Sequence, residues 1–352
     1  MSFIPKKFDL ETYNYELPEN LIAFYPTQER TQSKLLVINR KTKELYFHER
    51  FSEIENYLKK GDLLILNNTK VFPARLKGKK LTGGEADLLL FQKPRGKTFE
   101  THALIKGKRI KKGTEIRIND KIKVKVLEKY EGGRFLVELK SKNNLENLIY
   151  KYGKAPLPPY IKREPEVLDL QRYQTVYAEK EGSIAAPTAG FHFDEKLLTR
   201  LKEKGVIIKY ITLHVGYGTF APIKVRDIRK HKIEPEYIEV EEDVISEIKL
   251  ALLEKRRIIA VGTTVVRTLE FIAQKEFNPY KGLCDLYIYP SFKFRVVSAM
   301  ITNFHLPKSS LLLLVCAFAG KDLIFKAYKA VSYTHLRAHE TRHDLVCRLL
   351  LE

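Results

Sequence analysis

Several segments of this chain end an apolar run with glycine, threonine, histidine, arginine or asparagine. The first, residues 182–194, reads as a loop in which proline, small residues and His192 occur together. Apolar runs that begin at Val206, Ile258 and Val296 end in comparable residues. Their ends read His214-Val-Gly-Tyr-Gly-Thr-Phe220, Gly262-Thr-Thr-Val-Val-Arg267 and Asn303-Phe-His305. Because open α/β sheets bind ligands beyond the carboxyl ends of their strands, we expect these segments to share one site.

The residue types in these segments suit acid-base chemistry and recognition of polar ligands. The candidate acid-base groups are His192, His214 and His305. Histidine exchanges a proton near neutral pH, although a ring nitrogen that satisfies a buried loop carbonyl is the structural alternative. The candidates for orienting sugar hydroxyls are Thr188, Thr219 and Asn303. Helix capping or turn formation explains such side chains as often.

Residues 262–264 are expected to begin a helix after a buried strand. The free N–H groups of a helix N-terminus can hold a carboxylate, which makes candidates of Gly262, Thr263 and Thr264. Arg267 could pair with the same carboxylate or with a phosphate. An ion pair with Glu270 on the same helix is the structural alternative. The remaining candidates are Gly190, Gly216, Tyr217 and Gly218. The glycines allow close approach of a ligand, and the aromatic ring could face a cation or pack in the core.

The positive charge of the chain is concentrated in one region. The formal net charge is +20, and residues 73–152 contain 21 Lys or Arg against nine Asp or Glu. A nucleic acid releases condensed counterions when it binds such a region, a gain that a small substrate cannot exploit. A lysine-rich solvated surface is the alternative. The densest cluster, which we predict to contact RNA, is Lys106, Lys108, Arg109, Lys111 and Lys112.

Composition argues against several classes of protein. The longest apolar run, residues 311–319, is about half a membrane span, and the N-terminus lacks a signal-peptide core. We therefore expect a cytoplasmic protein with no membrane partner. Only Cys284, Cys316 and Cys347 are present, without paired spacing, so neither a disulfide framework nor a cysteine zinc site is indicated.

Two kinds of pattern divide the chain. Residues 73–142 contain short alternating runs separated by glycine and Asn-Asp turns, a pattern typical of a small antiparallel barrel or sandwich. The five runs lie at residues 86–91, 100–105, 115–118, 122–127 and 134–139. Outside this region, strand and helix patterns alternate, which favours a sheet covered by helices. We predict strands at residues 34–39, 44–48, 63–67, 206–215 and 258–261, and helices at residues 51–58, 195–204 and 244–255. The predicted fold is α/β: a discontinuous main domain of residues 1–72 and 153–330, with residues 73–152 inserted as a small antiparallel β-barrel.

Uncommon motifs follow one another along residues 5–330. They include Tyr15-Glu-Leu-Pro-Glu-Asn-Leu-Ile22, Leu66-Asn-Asn-Thr-Lys-Val-Phe-Pro-Ala-Arg-Leu76, Thr82-Gly-Gly84, Pro156-Leu-Pro-Pro-Tyr160, Arg172-Tyr-Gln-Thr-Val-Tyr177, Ala185-Ala-Pro-Thr-Ala-Gly-Phe-His-Phe193, Thr212-Leu-His-Val-Gly-Tyr-Gly-Thr-Phe220, Ala260-Val-Gly-Thr-Thr-Val-Val-Arg267 and Ile301-Thr-Asn-Phe-His-Leu-Pro307. In this combination the sequence resembles the S-adenosylmethionine:tRNA ribosyltransferase-isomerase family of queuosine biosynthesis.

The resemblance implies an activity. The ribosyl moiety of S-adenosylmethionine would be transferred to 7-aminomethyl-7-deazaguanine at the wobble position of tRNA, giving epoxyqueuosine-tRNA with release of adenine and methionine. It implies S-adenosylmethionine as a co-substrate, no separate cofactor and no metal. It also implies an α/β domain of unusual topology with an inserted barrel. The rival interpretation is a non-enzymatic RNA-binding protein, in which the barrel binds RNA and the glycine loops are structural.

Three departures from the family pattern stand out. After His231, where relatives commonly have a second histidine, the chain reads Lys-Ile-Glu234-Pro-Glu236, and Ser291 occupies a position where glycine is expected. Residues 331–352 do not resemble the family's ending. They include His339-Glu-Thr-Arg-His343, which matches the H-E-x-x-H pattern of zinc proteases and leaves that class as a remote alternative. Our hypothesis is that this tail is not native to the gene, and resequencing the locus from native DNA tests it.

Overall fold

A computed structural model describes residues 3–220, 222–337 and 348–351 of the chain. In that part of the chain, every helix is too short or too polar to span a bilayer. The strands are β1 Leu35–Ile38, β2 Leu45–His48, β3 Leu63–Asn67, β4 Thr69–Val71, β5 Arg75–Lys80, β6 Glu85–Leu90, β7 Thr98–Lys106, β8 Glu115–Ile118, β9 Ile122–Lys129, β10 Arg134–Lys140, β11 Lys180–Ser183, β12 Ile207–Leu213, β13 Glu236–Val240, β14 Ile258–Val261, β15 Tyr280–Cys284, β16 Ala299–Asn303 and β17 Arg348–Leu351. The α-helices are α1 Leu145–Tyr152, α2 Val167–Arg172, α3 Glu195–Glu203, α4 Glu242–Leu253, α5 Thr263–Gln274, α6 Ser310–Ala319 and α7 Lys321–Arg337.

The main domain is built on a nine-stranded mixed sheet in the order β15-β13-β12-β3-β14-β16-β17-β1-β2. Strands β12, β3, β14 and β16 are parallel to one another. Their carboxyl ends therefore meet at one edge of the sheet. This is the edge that the sequence pattern assigned to a shared binding site.

Helical segments cover both faces of this sheet. Along β14, Ile258 and Ala260 pack into one apolar core, whereas Ile259 and Val261 pack into another. The first core includes residues of α4, α5 and α6, and the second includes α3 and the 3-10 helix Phe51–Asn56. Alternate side chains of a strand point to opposite faces, so a strand buried on both faces is apolar throughout, as β14 is.

The inserted domain is a closed barrel in the order β10-β7-β6-β5-β8-β9. Both the α/β class and the inserted antiparallel barrel predicted from sequence are confirmed. Five of the six barrel strands were predicted, and β5 was missed because its inward positions include Gly78. A Cβ atom at Gly78 would lie 2.6 Å from the Arg117 carbonyl oxygen, so close strand packing requires glycine there. With glycine inside and lysine outside, the strand shows little apolar alternation.

Some local predictions were wrong in detail. Residues 51–58 were expected to form an α-helix, but Phe51–Asn56 is a 3-10 helix. Residues 182–194 were expected to be a loop, yet they contain the end of β11 and a 3-10 turn at Thr188–His192. Ser291 has a φ of 92°, a backbone conformation that glycine adopts at lower cost than serine.

The C-terminal strand β17 lies inside the main sheet. It pairs in parallel with β1 and antiparallel with β16. The hairpin of β1 and β2 is thereby joined to the rest of the sheet through four residues of the anomalous tail. The proposal that the tail is foreign to the gene stays a prediction.

The barrel joins the main domain where the chain crosses twice. Strands β4 and β11 form a parallel pair beside the junction. The backbones of Arg75 and Lys154 bond to each other, with Lys154 N donating to Arg75 O at 2.8 Å. Phe91 of the barrel also stacks on Tyr217 of the main domain, with ring centroids 5.5 Å apart.

Candidate active site

A cavity of about 620 Å³ opens at the carboxyl edge of the parallel strands. Its wall includes the start of α5, the residues after β16 and the 3-10 turn Thr188–His192. Seven of the residues predicted from sequence line it: Thr188, His192, Gly262, Thr263, Thr264, Asn303 and His305. Segments separated by more than 100 residues in sequence thus meet at one site.

His192 is held against Asn303 inside this cavity. Its Nε2 lies 3.1 Å from the Asn303 amide oxygen, and the ring lies 5.7 Å from that of Phe51, measured between centroids. Because an amide oxygen only accepts hydrogen bonds, this contact places a proton on Nε2. In the neutral ring the lone pair then resides on Nδ1. The geometry thus prepares Nδ1 of His192 to take up a proton.

His305 is fixed more firmly than His192. Its Nε2 lies 3.0 Å from the Thr302 hydroxyl, its backbone N–H donates to the Tyr328 hydroxyl at 3.0 Å, and its carbonyl accepts from Tyr15 at 2.5 Å. Burial lowers the pKa of His305 from 6.5 to about 3. The ring is therefore neutral at physiological pH and suits hydrogen bonding better than donation of a proton from an imidazolium.

The buried state of His305 predicts an acid-dependent loss of stability. The group binds a proton in the unfolded chain below pH 6.5 but in the folded chain only near pH 3, so folding stability falls as the pH drops between these values. Between pH 7.5 and pH 5 this group should cost about 2 kcal/mol. We expect His305→Gln to lack that loss. Urea unfolding of both proteins at the two pH values measures it, and an equal pH dependence would contradict the prediction.

The N-terminus of α5 points its first residues at the cavity. Gly262 has a φ of 95°, which turns the chain from β14 into the helix and favours glycine. Asn67, at the end of β3, approaches the Thr264 hydroxyl at 3.4 Å and donates to the Leu213 carbonyl at 3.0 Å. One asparagine therefore connects the ends of β3 and β12 to the first turn of α5. The partial positive charge of that terminus suits a carboxylate.

His214 lies away from the cavity lining. Its Nδ1 is 2.8 Å from the Thr69 hydroxyl, and its ring stacks on Tyr237. A Cβ atom at Gly182 would lie 2.5 Å from its Nε2, so the ring packs directly on that glycine. Burial lowers the pKa of His214. These contacts fit the structural alternative, in which the histidine fastens β12 to β4 and β11.

Arg267 forms a buried ion pair with Glu236. Its Nε also donates to the Leu286 carbonyl at 3.0 Å, while Glu236 accepts from the Gly216 backbone N–H at 2.8 Å. The expected alternative partner, Glu270, instead accepts the backbone N–H groups of residues 295–297. Arg267 is therefore connected to the glycine-rich segment after β12, and it does not line the large cavity.

The other glycine-segment candidates are close to side chains of the protein itself. A Cβ atom at Gly190 would lie 2.0 Å from the Tyr177 hydroxyl, and one at Gly218 would lie 2.7 Å from Glu234 Cβ. Tyr217 stacks on the barrel. Packing thus accounts for these residues, and the side chain of Thr219 lies outside the described part of the structure.

The opposite wall of the cavity was not assigned from sequence. It is rich in aromatic and arginine side chains from residues 21–30 and 157–173. Arg30 donates to the Phe191 and Gln174 carbonyls, and Arg163 makes two bonds to Asp169 while covering the Tyr25 ring at 4.3 Å. The motifs that begin at Tyr15 and Arg172 were the sequence signal for this wall. Because they lack strand periodicity, they did not indicate where in the fold these residues lie.

The described residues contain no candidate metal site. Within the described residues, no group of three or more His, Cys, Asp or Glu could hold a metal ion. The zinc-protease pattern at residues 339–343 lies outside them.

Comparisons with known proteins agree with these observations. The family profile described as "Queuosine biosynthesis protein" matches residues 10–339. The chain is 51% identical to an S-adenosylmethionine:tRNA ribosyltransferase-isomerase of Aquifex aeolicus over 91% of this chain and 94% of that protein. It is 48% identical to the protein of that name from Francisella philomiragia, over the same shares.

A solved structure is similar along nearly the whole chain. The crystal structure of S-adenosylmethionine tRNA ribosyltransferase from Thermotoga maritima is 33% identical and matches with a TM-score of 0.53. The match covers 98% of this chain and 100% of that one. On these matches, the chain belongs to the queuosine biosynthesis protein family.

Proposed function

We propose that this chain is an S-adenosylmethionine:tRNA ribosyltransferase-isomerase. The observation that carries the proposal is the 51% identity to an enzyme of that name over 91% of the chain. In the proposed reaction, the ribosyl group of S-adenosylmethionine moves to the aminomethyl group of 7-aminomethyl-7-deazaguanine in tRNA, and adenine and methionine leave. A tRNA substrate places this reaction in the cytoplasm.

The reaction requires acid-base groups beside a charged co-substrate. A carbon next to the sulfonium must lose a proton, adenine must leave with its charge neutralised, and an oxygen must close an epoxide as methionine departs. Nδ1 of His192 is suited to accept the proton, because Asn303 holds the opposite nitrogen protonated. His305 remains neutral and is suited to a hydrogen bond with the ribose or the leaving group.

The polar cavity wall supports a position for the rest of S-adenosylmethionine. Thr263 and Thr264 line the cavity at the start of α5, and the free N–H groups of a helix N-terminus are suited to the methionine carboxylate. Thr188 and Asn303, on the same wall, are suited to ribose hydroxyls. Their closeness to His192 would bring the sulfonium carbon within reach of its Nδ1.

The basic segment that runs from the end of β7 toward β8 is proposed as one tRNA contact. Lys106, Lys108, Arg109, Lys111 and Lys112 are all exposed. Replacing the four lysines with glutamine should raise the KM for tRNA and flatten its salt dependence. With fewer phosphate contacts, fewer counterions are released when tRNA binds. The KM for S-adenosylmethionine should not change. Steady-state kinetics at about 100 and 200 mM salt test this, and an unchanged KM for tRNA would remove the segment from the interface.

One assay separates the proposed enzyme from the rival RNA-binding protein. The chain is incubated with S-adenosylmethionine and tRNA that carries the deazaguanine precursor, and released adenine is quantified. Adenine release that depends on the precursor supports the enzyme. Binding of tRNA without adenine release would overturn the proposal in favour of the non-enzymatic class.

A further inference from the structure

Four basic residues stand opposite one another on the outside of the barrel. Lys79 of β5 pairs with Arg117 of β8, Arg117 pairs with Lys123 of β9, and Lys123 pairs with Lys140 of β10. Residues directly opposite in antiparallel strands point to the same face. We call these four residues the basic row.

The basic row faces solvent. All four residues are exposed, while Ile122 and Val124, on either side of Lys123, are buried in the barrel. Neighbouring strands are about 4.8 Å apart, so the row spans about 14 Å. The basic row is separate from residues 106–112, because the members of the row lie in β5, β8, β9 and β10.

Glu85 of β6 stands directly opposite Lys79, and with Glu138 and Asp120 it makes three acidic side chains beside the four cations, so the row is only partly neutralised. Lys140 pairs with Glu138 at 2.8 Å, and Arg117 approaches Asp120 at 3.9 Å. Among the described residues, Lys79 and Lys123 form no ion pair. Lys121, in the turn before β9, and Lys125, two positions along β9 from Lys123, are also exposed. Lys125 stands opposite Glu115 and Glu138, so Lys121 is the one of the two that adds to the positive charge.

Such an arrangement is unfavourable for the barrel alone. Like charges directly opposite in a sheet destabilise it, and their separation is shorter than the Debye length of about 8 Å at physiological salt. A row of three such pairs would be stabilised by an anionic partner that extends along it. A single small anion would cover only part of about 14 Å, whereas a polynucleotide backbone presents a continuous series of phosphates.

We propose that the basic row binds the sugar-phosphate backbone of the tRNA, at a distance from the reacting nucleotide; this inference rests on the proposed function. Strand β5 leaves the domain junction at Arg75, and Lys79 lies four residues farther, or about 13 Å along the strand. The row therefore holds the RNA on the barrel while the cavity receives the wobble nucleotide. It orients a large substrate and contributes nothing to the chemistry.

The test compares two variants that lose the same charge. The row variant carries Lys79→Gln, Arg117→Gln, Lys123→Gln and Lys140→Gln. The control variant carries Lys41→Gln, Lys196→Gln, Lys202→Gln and Lys249→Gln, at four exposed lysines of the main domain. Binding of precursor tRNA to the full chain is measured over a range of salt concentrations, together with Tm, kcat and the KM for S-adenosylmethionine.

We expect the row variant to raise the Kd for tRNA by at least about tenfold at 0.1 M salt and to reduce the salt slope by about 3, or 0.7 to 0.9 per contact. The control should stay within about twofold, because nonspecific charge loss alone removes no contact. Removing the repulsion should leave the Tm of the row variant at or above that of the unmodified chain. Its kcat at saturating tRNA and its KM for S-adenosylmethionine should not change.

The possible failures are distinguishable. A row variant that binds like the unmodified chain, or a control that loses as much affinity, overturns the basic row alone. An unmodified chain that does not bind tRNA overturns the proposed function and the row with it. If the quadruple variant is unstable, Lys123→Gln alone decides the matter: a slope lower by about one supports the row, and an unchanged slope overturns it.

Discussion

Replacement of His192 by alanine is expected to lower kcat/KM for adenine release by about 10²-fold to 10⁴-fold, the range for loss of a general acid or base. Of the histidines predicted from sequence, His192 and His305 line the cavity, and burial lowers the pKa of His305 to about 3, which makes it a weak proton acceptor. His192 is therefore the better candidate for proton transfer. Initial rates of adenine release with precursor tRNA give the measurement.

Two further substitutions complete the test of His192. One is a control for damage to the fold, and the other acts on the hydrogen-bond partner of the ring. His102 is an exposed barrel histidine, so His102→Ala should leave the rate unchanged. Asn303→Leu removes the acceptor at Nε2 of His192 and should also lower the rate of adenine release. Activity of His192→Ala within about threefold of the unmodified chain would exclude general acid-base catalysis by this residue.

Replacement of Arg267 by methionine is expected to reduce the free energy of unfolding by about 3 to 5 kcal/mol, because it removes the cation that pairs with the Glu236 carboxylate in the interior. The two side chains are only 4% and 3% exposed. Urea unfolding at pH 7 measures the loss. Converting both residues to methionine should recover much of it, since a buried pair can be exchanged for apolar packing at little cost.

This prediction also decides between two roles for Arg267. Sequence patterns suggested that it binds the methionine carboxylate or a tRNA phosphate, whereas its contacts connect α5 to Gly216 through Glu236. If Arg267→Met unfolds like the unmodified chain yet loses adenine release, the residue acts on the substrate. If stability and activity fall together and the double variant recovers both, its role is structural.

The sheet edge could be predicted because parallel buried strands leave a clear sequence signature. The run before Gly262 is continuously apolar, the run before Asn303 is apolar apart from Ser298 and Thr302, and each ends in polar residues. Since parallel strands share one carboxyl edge, the meeting of these ends follows from topology alone. The same reasoning selected His214, which follows such a strand but turns toward Thr69 and does not line the cavity. Periodicity fixes where a strand ends and not which way the next side chain points.

The far wall of the cavity could not be predicted from strand patterns. Tyr15 and Arg30 lie in segments whose positions depend on side-chain bonds to distant carbonyls. The Glu236 pairing likewise depends on the antiparallel registers of β13 with β12 and β15. No local pattern reports such long-range pairing. Residues 234–236, a departure from the family pattern, nevertheless proved to contact the glycine-rich segment.

The hydrogen-bonded crossing at Arg75 and Lys154 has a consequence for how the chain reaches its native topology. An insertion of about 80 residues would normally separate β4 from β11 by a long, entropically costly loop. Once the barrel has closed, however, its two ends lie side by side. The loop that joins the two parts of the main domain is then effectively much shorter. A barrel that folds first therefore converts distant pairings of the main sheet into nearly local ones, which favours faster assembly. The adjacent ends also make the barrel a unit that could have entered an older α/β chain without disturbing its core.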